Sequence, residues 1–201
     1  MKGKNFSANN ASGKRRESDF YETPYSMTRQ MLGAIDIKGP VLEPASGNGA
    51  ILRVLSEHGI ENEGYDIKGG KSFLDEERTF ESVVTNPPFS LAKEFIEKAK
   101  SVATSKIVFL LPLSYLHGKY RYDHVYQDTK FPLSRVLVFT RYPMLGDTLR
   151  EDGKYRTGMM VYAWYVWDKN YQGSPSIGWL DNDEYIIKRS KGDSVDKGCG
   201  D

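Results

Sequence analysis

The chain has 201 residues, of which 39% are hydrophobic and 12% aromatic, and its formal net charge is +1. This length is enough for one domain with a good core. No apolar run approaches the ~18 residues of a membrane span, and the polar N-terminus lacks the apolar core of a signal peptide. We therefore expect an intracellular, cytoplasmic protein. A net charge this close to zero gives little overall attraction to nucleic acid.

Cysteine and histidine show no pattern typical of metal ligands. The single cysteine, Cys199, lies in a tail rich in Gly and Asp, and the three histidines are scattered at His58, His117 and His124. A metal site or a disulfide needs several such residues at suitable spacing. We therefore expect neither a metal site nor a disulfide.

Both ends of the chain have the composition of disordered segments. Residues 1–18 carry one acidic residue, Glu17, and five basic ones, which are Lys2, Lys4, Lys14, Arg15 and Arg16. Such an arm is expected to be solvated, and it is also suited to contact phosphates. The predicted organisation is a disordered basic arm at 1–18, a single domain at 19–190 and a disordered tail at 191–201.

The first predicted element is a helix over residues 23–35. Thr23 is a suitable helix cap, and Pro24 follows at the expected first helical position. Helical spacing places four apolar residues on one face, namely Met27, Met31, Leu32 and Ile35.

Short β-rich segments alternate with helical patterns along the rest of the chain. We predict strands at 40–45, 62–67, 80–86, 106–112, 134–141 and 158–168. We predict a helix at 49–59, ending at Gly59. We predict another helix at 90–103, with four residues facing inward, namely Leu91, Phe95, Ile96 and Ala99.

The order of these elements predicts the sheet. Strands separated by helices indicate a parallel α/β sheet. The last two strands have no evident helix between them, so we expect an antiparallel hairpin at one edge. Leu113–Lys130 is predicted to be one irregular helix. Residues 141–157 are predicted to be a long loop, and loops longer than ~12 residues are usually functional or mobile.

A glycine-rich turn follows the first strand in "LEPASGNGAIL", residues 42–52. Gly47 and Gly49 would let the backbone turn sharply and approach a ligand closely. Ligands of open α/β sheets bind outside the carboxyl ends of the strands. Glu43 ends the first strand and no lysine occupies the turn, which argues against a nucleoside-triphosphatase P-loop.

An acidic residue ends the second strand in "GYDI", residues 64–67. Asp66 lies 19 positions after Gly47, where a carboxylate can accept hydrogen bonds from both ribose hydroxyls. A dinucleotide site would share this feature. NAD binding is disfavoured, because Leu52 stands where the third glycine of that motif would be, and the turn carries an acid and no base.

The stretch "VVTNPPFS", residues 83–90, ends a strand in an unusually rigid way. Turns normally use glycine or Asn-Gly. Two successive prolines instead remove two backbone donors and fix two φ angles. This rigidity indicates a functional role.

Together these motifs resemble those of class I S-adenosylmethionine-dependent methyltransferases of the amino-methylating type. More specifically, residues 19–167 resemble the small DNA adenine-N6 methyltransferases often carried by phages. Segments similar to the family's motifs X, I, II and IV lie, in that order, at 19–24, 42–49, 64–67 and 85–90. This order is similar to the γ arrangement, and the aromatic strand at 161–169 is similar to that of the phage members.

The resemblance implies a Rossmann-like fold with a mostly parallel seven-stranded sheet, an antiparallel edge hairpin and helices on both faces. It also implies S-adenosylmethionine as cofactor, DNA as substrate and a bacterial host cell, with phage encoding. Neither a metal nor a membrane is implied, and the oligomeric state stays open.

Residues matching the family's cofactor motifs are assigned by this resemblance. Tyr21 and Thr23 are expected to hold the methionine end, with Pro24 starting their helix, and Glu43 to lie near the methionine amino group. The full expected set is Tyr21, Thr23, Pro24, Glu43, Pro44, Ala45, Gly47, Asn48, Gly49, Asp66, Ile67 and Phe73.

At the nucleoside end, Asp66 is expected to hold the ribose and Ile67 to pack on adenine. The chain departs from the family at motif III, where Asp often precedes Phe. Here Ser72 precedes Phe73, and Asp75 follows two residues later. The residue that contacts the adenine edge is therefore left open.

The expected catalytic residues are Asn86, Pro87, Pro88 and Phe89. An exocyclic amine is a poor nucleophile, so it must be held with its lone pair ~3–3.5 Å from the methyl group. The Asn86 side-chain oxygen and the Pro87 carbonyl can accept its two N–H bonds, and the ring of Pro88 keeps that carbonyl aimed. Phe89 offers a stacking face to a flipped base. No general base is required.

Other substrates share this motif. Asn-Pro-Pro-Phe also occurs in enzymes that methylate RNA bases and the glutamine of release factors. Those enzymes usually add an RNA-binding domain or an N-terminal helical domain, and neither is recognisable here, so DNA adenine is favoured. A third hypothesis is a cofactor-binding or DNA-binding protein without turnover, against which the intact Asn-Pro-Pro-Phe argues.

Nucleic-acid contacts are predicted in two segments, 117–130 and 141–158, where cations alternate with tyrosines. Basic residues can bind phosphates and tyrosines can stack on bases. The expected residues are Lys119, Tyr120, Arg121, Tyr122, Arg141, Lys154 and Arg156. Because no separate recognition domain is recognisable, we expect relaxed sequence specificity or a partner that supplies it.

Overall fold

In the part of the chain that the structure describes, the fold is built on seven strands and three main helices. The computed structural model describes residues 22–140 and 161–181. The strands are β1 Val41–Glu43, β2 Asn62–Gly64, β3 Phe80–Thr85, β4 Ala103–Pro112, β5 Leu133–Phe139, β6 Tyr162–Asp168 and β7 Ser176–Leu180. The helices are α1 Tyr25–Ala34, α2 Ala50–Glu57 and α3 Ala92–Val102. None of the helices in these ranges is long and apolar enough to cross a membrane.

The strands form one sheet in the order β2-β1-β3-β4-β6-β5-β7. β6 is antiparallel to both β4 and β5, while every other pairing is parallel. The predicted antiparallel pair of β5 and β6 is therefore present, but the prediction that it forms the edge of the sheet is wrong. β7, which was not among the individually predicted strands, pairs with β5 and forms the edge. Its sequence "SIGWL" is short and contains glycine, so it lacks a strong strand pattern.

Helices cover both faces of the sheet. α1 and α2 pack on one face, where Met31 and Leu55 are fully buried, and α3 packs on the other through Phe95 and its neighbours. β6 contributes to both cores, with Trp164 on the first face and Trp167 on the second. Strands buried on both faces need apolar residues throughout, which explains the continuous apolar runs of β4 and β6.

Two predictions about helix starts are wrong. α1 begins at Tyr25, with Pro24 as its N-cap residue and no side-chain capping bond, so Thr23 is not a cap. The Thr23 hydroxyl instead accepts a hydrogen bond from Asn86. Leu91 does not face inward and is 41% exposed, because it ends a 3-10 turn that precedes α3.

The segment after β4 is helical but broken, so the prediction of one irregular helix over Leu113–Lys130 is wrong. It consists of a 3-10 turn at Leu113–Leu116, one α-helical turn at Lys119–Arg121 and a π-helical turn at Tyr122–Tyr126. Gly118 separates the first two with a φ of 128°, which helices do not contain. The predicted loop at 141–157 and the predicted terminal arm and tail lie outside the described residues.

Candidate active site

A pocket opens where the carboxyl ends of β1, β2 and β3 meet, the usual ligand position in an open α/β sheet. The chain segments that follow these three strands, together with the residues before α1, form its walls. It is lined by Glu22, Thr23, Glu43, Ala45, Ser46, Asn48, Ala50, Ile51, Asp66, Ile67, Lys68, Asn86 and Pro88.

The glycine turn has the sharp geometry predicted for it. Gly47 and Gly49 both have positive φ, at 50° and 77°, a backbone conformation that other residues rarely adopt. The Gly49 N–H donates to the Ser46 carbonyl at 2.7 Å, and the Ser46 N–H donates to the Tyr65 carbonyl at 3.0 Å. The turn is thereby attached to the residues that follow β2.

Glu43 is a buried carboxylate at the pocket wall. Its side chain is 2% exposed, and its Oε2 atom has no hydrogen-bond partner within the described residues. Burial raises the pKa of Glu43 well above its usual range, an effect that a hydrogen bond to the Leu52 backbone partly offsets. An unsatisfied buried acceptor costs roughly 1–3 kcal/mol. A ligand that brings a cation or a hydrogen-bond donor would supply the missing partner.

Asp66 is held by two backbone donors. Its Oδ2 atom accepts from the Gly47 N–H at 3.2 Å, and its Oδ1 atom accepts from the Lys68 N–H at 3.0 Å. Each carboxylate oxygen has a second lone pair that can accept from a ligand hydroxyl. Ile67, the next residue, is 65% exposed and offers an apolar surface at the same pocket.

Asn86 lies immediately after β3 and lines the pocket together with Pro88. Its Nδ2 atom donates to the Thr23 Oγ1 at 3.2 Å. Thr23 is itself 5% exposed. Because this partner is buried, the hydrogen bond restrains the orientation of the Asn86 amide. The donor side of the amide faces Thr23.

The two prolines and Phe89 complete this stretch. The Pro88 carbonyl accepts from the Leu91 N–H at 2.9 Å, whereas within the described residues no backbone N–H donates to the Pro87 carbonyl. The Phe89 ring packs against Tyr162 of β6, with ring centroids 5.6 Å apart. The stretch therefore combines an acceptor without a backbone partner with a supported aromatic ring.

The structure brings together only part of the predicted cofactor set. Six members line the pocket, namely Thr23, Glu43, Ala45, Asn48, Asp66 and Ile67. Pro44, Gly47 and Gly49 shape the turn behind it, and Pro24 caps α1. Phe73 does not reach the pocket, because it is 2% exposed and packs on Phe95 beneath α3 at 5.0 Å. Tyr21 lies outside the described residues.

Five lining residues were not predicted. They are Glu22, Ser46, Ala50, Ile51 and Lys68. All of them are sequence neighbours of predicted residues, so proximity along the chain was the signal that could have found them.

The predicted nucleic-acid segment after β4 lies beside the Asn86–Phe89 stretch, because β4 pairs in parallel with β3 and the carboxyl ends of both strands lie on the same side of the sheet. Tyr120 contacts both Lys93 and His124, with its ring centroid 4.1 Å from the Lys93 Nζ atom and 4.5 Å from the His124 ring centroid. Tyr120 is 42% exposed. Tyr122, which is 55% exposed, is the more accessible ring.

The cations of this segment differ in availability. Lys119 forms an exposed ion pair with Asp123 at 2.6 Å, and its side chain is 82% exposed. Arg121 turns inward, where it donates to the His117 carbonyl and lies 4.6 Å from the Tyr115 ring centroid. Three further predicted residues lie outside the described ranges, namely Arg141, Lys154 and Arg156. Within residues 22–140 and 161–181, no group of three or more His, Cys, Asp and Glu residues could hold a metal ion.

Comparisons with known proteins give a match at the level of structure. No protein-family model matches the chain, and no curated protein matches it. A modification subunit assigned to a type I restriction enzyme from Vibrio vulnificus YJ016 is similar, with a TM-score of 0.54 and 12% identity over 89% of this chain and 54% of that chain. The type I restriction enzyme EcoKI M protein gives a TM-score of 0.54 and 12% identity over 84% and 50%.

A third similar structure has a different role. It is magnesium protoporphyrin IX methyltransferase from Synechocystis PCC 6803 with bound SAH, with a TM-score of 0.50 and 12% identity over 72% of this chain and 80% of that chain. This chain spans about half the length of the two restriction-enzyme subunits. Identities this low establish the fold alone. The predicted fold class is confirmed, and the chain has the Rossmann-like fold of class I methyltransferases.

Proposed function

We propose that the protein transfers a methyl group from S-adenosylmethionine to the N6 amino group of adenine in DNA. One observation carries this proposal. The rigid stretch Asn86-Pro87-Pro88-Phe89 begins where β3 ends, and it shares a pocket with the buried Glu43 and the backbone-held Asp66. Acceptors for an amine and acceptors for a nucleoside cofactor therefore lie in one site.

The residues present fit this cofactor. When bound, S-adenosylmethionine supplies an electrophilic methyl group on a sulfonium. Glu43, whose Oε2 atom has no hydrogen-bond partner in the part of the chain that the structure describes, would accept from the cofactor's α-ammonium group. Asp66 would accept from the ribose hydroxyls, and the exposed side chain of Ile67 would cover the adenine.

The catalytic work falls to the Asn-Pro-Pro-Phe stretch. The Asn86 oxygen and the Pro87 carbonyl would accept the two N–H bonds of the adenine amine and direct its lone pair at the methyl group. The Thr23 contact restrains the Asn86 amide, so the acceptors are oriented before the substrate arrives. They also stabilise the positive charge that develops on nitrogen, and the proton can then leave to water. Phe89, supported by Tyr162, would stack on the flipped base.

DNA is favoured as the substrate by the resemblance of the motif set to phage DNA adenine methyltransferases. The matched modification subunits of type I restriction enzymes fit the same substrate class, while the porphyrin methyltransferase shows that this fold also serves other substrates. Lys119 and Tyr122, exposed beside the catalytic stretch, would contact the nucleic acid.

A parallel transfer assay tests the proposal. Labelled methyl from S-adenosylmethionine is offered to unmethylated genomic DNA, to tRNA and to total protein, and the labelled products are digested and identified. We expect label in N6-methyladenine from DNA. Label only in RNA or protein would contradict the substrate, and cofactor binding without any label would contradict catalysis.

A further inference from the structure

A second buried acid, Glu76, lies outside the pocket and takes no part in the proposed chemistry. Its side chain is 4% exposed, and it precedes β3 by a few residues in a loop that carries no predicted function. Buried carboxylates are uncommon unless they are paired. The partners of Glu76 therefore indicate why the fold retains it.

Both oxygens of Glu76 are fully engaged. Oε1 accepts from the Arg78 backbone N–H at 3.1 Å and from its Nε at 2.9 Å. Oε2 accepts from the Arg78 Nη2 at 2.8 Å, the Tyr65 hydroxyl at 3.0 Å and the Lys71 Nζ at 3.1 Å. The hydrogen bonds from Arg78 lower the pKa of Glu76 far below its usual range. These partners therefore stabilise the charged form of the group.

Two of these partners are the ends of one loop. Tyr65 follows β2 directly, and Lys71 comes six residues later, with its Nζ atom 4.0 Å from the Tyr65 ring centroid. Between them lie three pocket residues, Asp66, Ile67 and Lys68. The two ends of the pocket loop, residues 65–71, thus converge on a single carboxylate.

Backbone groups hold the start of the pocket loop: the Tyr65 N–H donates to the Glu43 carbonyl at 3.1 Å, and Asp66 accepts from the Gly47 N–H at 3.2 Å. β2, which precedes it, has only three residues and forms the edge of the sheet, so it pairs with β1 alone. The loop also contains two successive glycines, and Gly70 has a φ of 82°. Glycine adds conformational freedom to a chain, and exposed loops at sheet edges open most easily. Glu76 therefore adds a side-chain anchor at both ends of the loop to the backbone bonds that hold Tyr65 and Asp66.

We propose that Glu76 is a positioning residue for the cofactor: by binding Tyr65 and Lys71 it holds the pocket loop so that Asp66 and Ile67 face the adenosine half of S-adenosylmethionine. This inference rests on the proposed function, since it takes that cofactor as the ligand. It assigns to Glu76 an effect on cofactor affinity and none on the methyl-transfer step.

The test compares Glu76→Gln with Glu63→Gln. The amide replaces one acceptor oxygen with a donor, which cannot accept from Tyr65, Lys71 and Arg78. Glu63 pairs with the same Arg78 at 2.6 Å from an exposed position in β2 and does not bind the Tyr65 hydroxyl or Lys71 as Glu76 does, so it is the matched control. For Glu76→Gln we expect S-adenosylhomocysteine to bind roughly ten- to a hundred-fold more weakly by calorimetry, and Glu63→Gln to stay near wild type.

Steady-state kinetics distinguish a role of Glu76 in cofactor positioning from a general loss of active protein. The KM for S-adenosylmethionine should rise in Glu76→Gln while kcat at saturation stays near wild type, because saturating ligand selects the ordered loop. Tyr65→Phe, which removes one hydrogen bond and keeps the ring, should show a smaller rise. Equal S-adenosylhomocysteine affinities in Glu76→Gln and Glu63→Gln would overturn the proposal, as would a fall in kcat with KM unchanged.

Hydrogen exchange in the free protein keeps the proposal testable even without catalysis. Amides at 66–71 should exchange faster in Glu76→Gln than in Glu63→Gln, with the core strands unchanged. Equal exchange of the loop would overturn the anchoring role. If wild type binds no S-adenosylhomocysteine, the proposed cofactor fails and Glu76 does not position it, whereas the exchange result still reports whether Glu76 holds the loop.

Discussion

Glu43 and Glu76 are both nearly inaccessible to solvent, yet their surroundings differ completely. The Glu43 Oε2 atom has no hydrogen-bond partner within the described residues, while both oxygens of Glu76 are saturated by Tyr65, Lys71 and Arg78. Burial raises the pKa of Glu43, and hydrogen bonding lowers the pKa of Glu76. The difference teaches that burial of a charged residue alone does not identify a ligand site. An unsatisfied acceptor is suited to a ligand, and a saturated one to holding the scaffold.

The largest effect on methyl transfer is expected from a substitution at Asn86, which changes neither carboxylate. Asn86→Ala removes one amine acceptor, and loss of a single transition-state hydrogen bond typically costs ~10²–10³ in rate. Methyl transfer should fall at least that far, while calorimetry should find the cofactor affinity within a few-fold of wild type. Unchanged transfer by this variant would contradict the mechanism.

Substitution of the two carboxylates should have opposite effects on stability. Glu43→Gln keeps the shape of the side chain and removes a buried ionisable group, so the free protein should be as stable as wild type or more stable, while S-adenosylmethionine binds roughly ten-fold or more weakly. Glu76→Gln leaves three donors poorly paired and should lower the free energy of unfolding by about 1–3 kcal/mol. Urea unfolding and calorimetry measure both quantities. A large destabilisation by Glu43→Gln would show that its carboxylate has a structural partner.

The pH dependence of stability sharpens the same contrast. Because the folded-state pKa of Glu43 is raised above the usual 4.5, its charge destabilises the fold above that pH and the effect disappears as the pH falls. The pKa of Glu76 is lowered, so its stabilisation is present above about pH 4.5 and is lost only below it. Between about pH 7 and 5, the stability difference between wild type and Glu43→Gln should therefore shrink. The stability difference between wild type and Glu76→Gln should stay constant over this pH range. If both differences changed in parallel, the contrast between the two carboxylates would be refuted.

The smallest effect is expected on DNA binding, in the predicted nucleic-acid segment after β4. There, one exposed cation and one internally bonded cation can be compared. Lys119 is exposed, although it pairs with Asp123, whereas Arg121 donates to the His117 carbonyl, so Lys119 is the more accessible of the two to a phosphate. Lys119→Ala should reduce the salt slope of DNA binding by ~1, whereas Arg121→Ala should lower thermal stability with little change in slope. Binding measured at several salt concentrations, with both variants in parallel, distinguishes these results.

Features that depend on local chain geometry could be predicted from the sequence. The glycine turn, Asp66 and the Asn86–Phe89 stretch are each specified within a few residues of a strand end, and parallel strands bring their carboxyl ends to one edge. Their convergence on one pocket followed from that rule without knowledge of any side-chain contact.

Features that depend on distant partners could not be predicted. Phe73 was expected at the cofactor but is drawn into the core by Phe95, and Arg121 is turned inward by Tyr115. The role of Glu76 depends on Tyr65, eleven positions earlier, and no spacing rule links these two residues. Sequence patterns therefore indicated residues that line the pocket, whereas tertiary contacts decide which of their neighbours reach it.

The most direct test of the central claim is the yield of N6-methyladenine in unmethylated DNA after incubation with S-adenosylmethionine, measured by mass spectrometry for wild type and Asn86→Ala side by side. The account predicts N6-methyladenine from wild type and none above background from the variant. Equal yields from the two proteins, or no product from a wild-type protein that binds the cofactor, would contradict it.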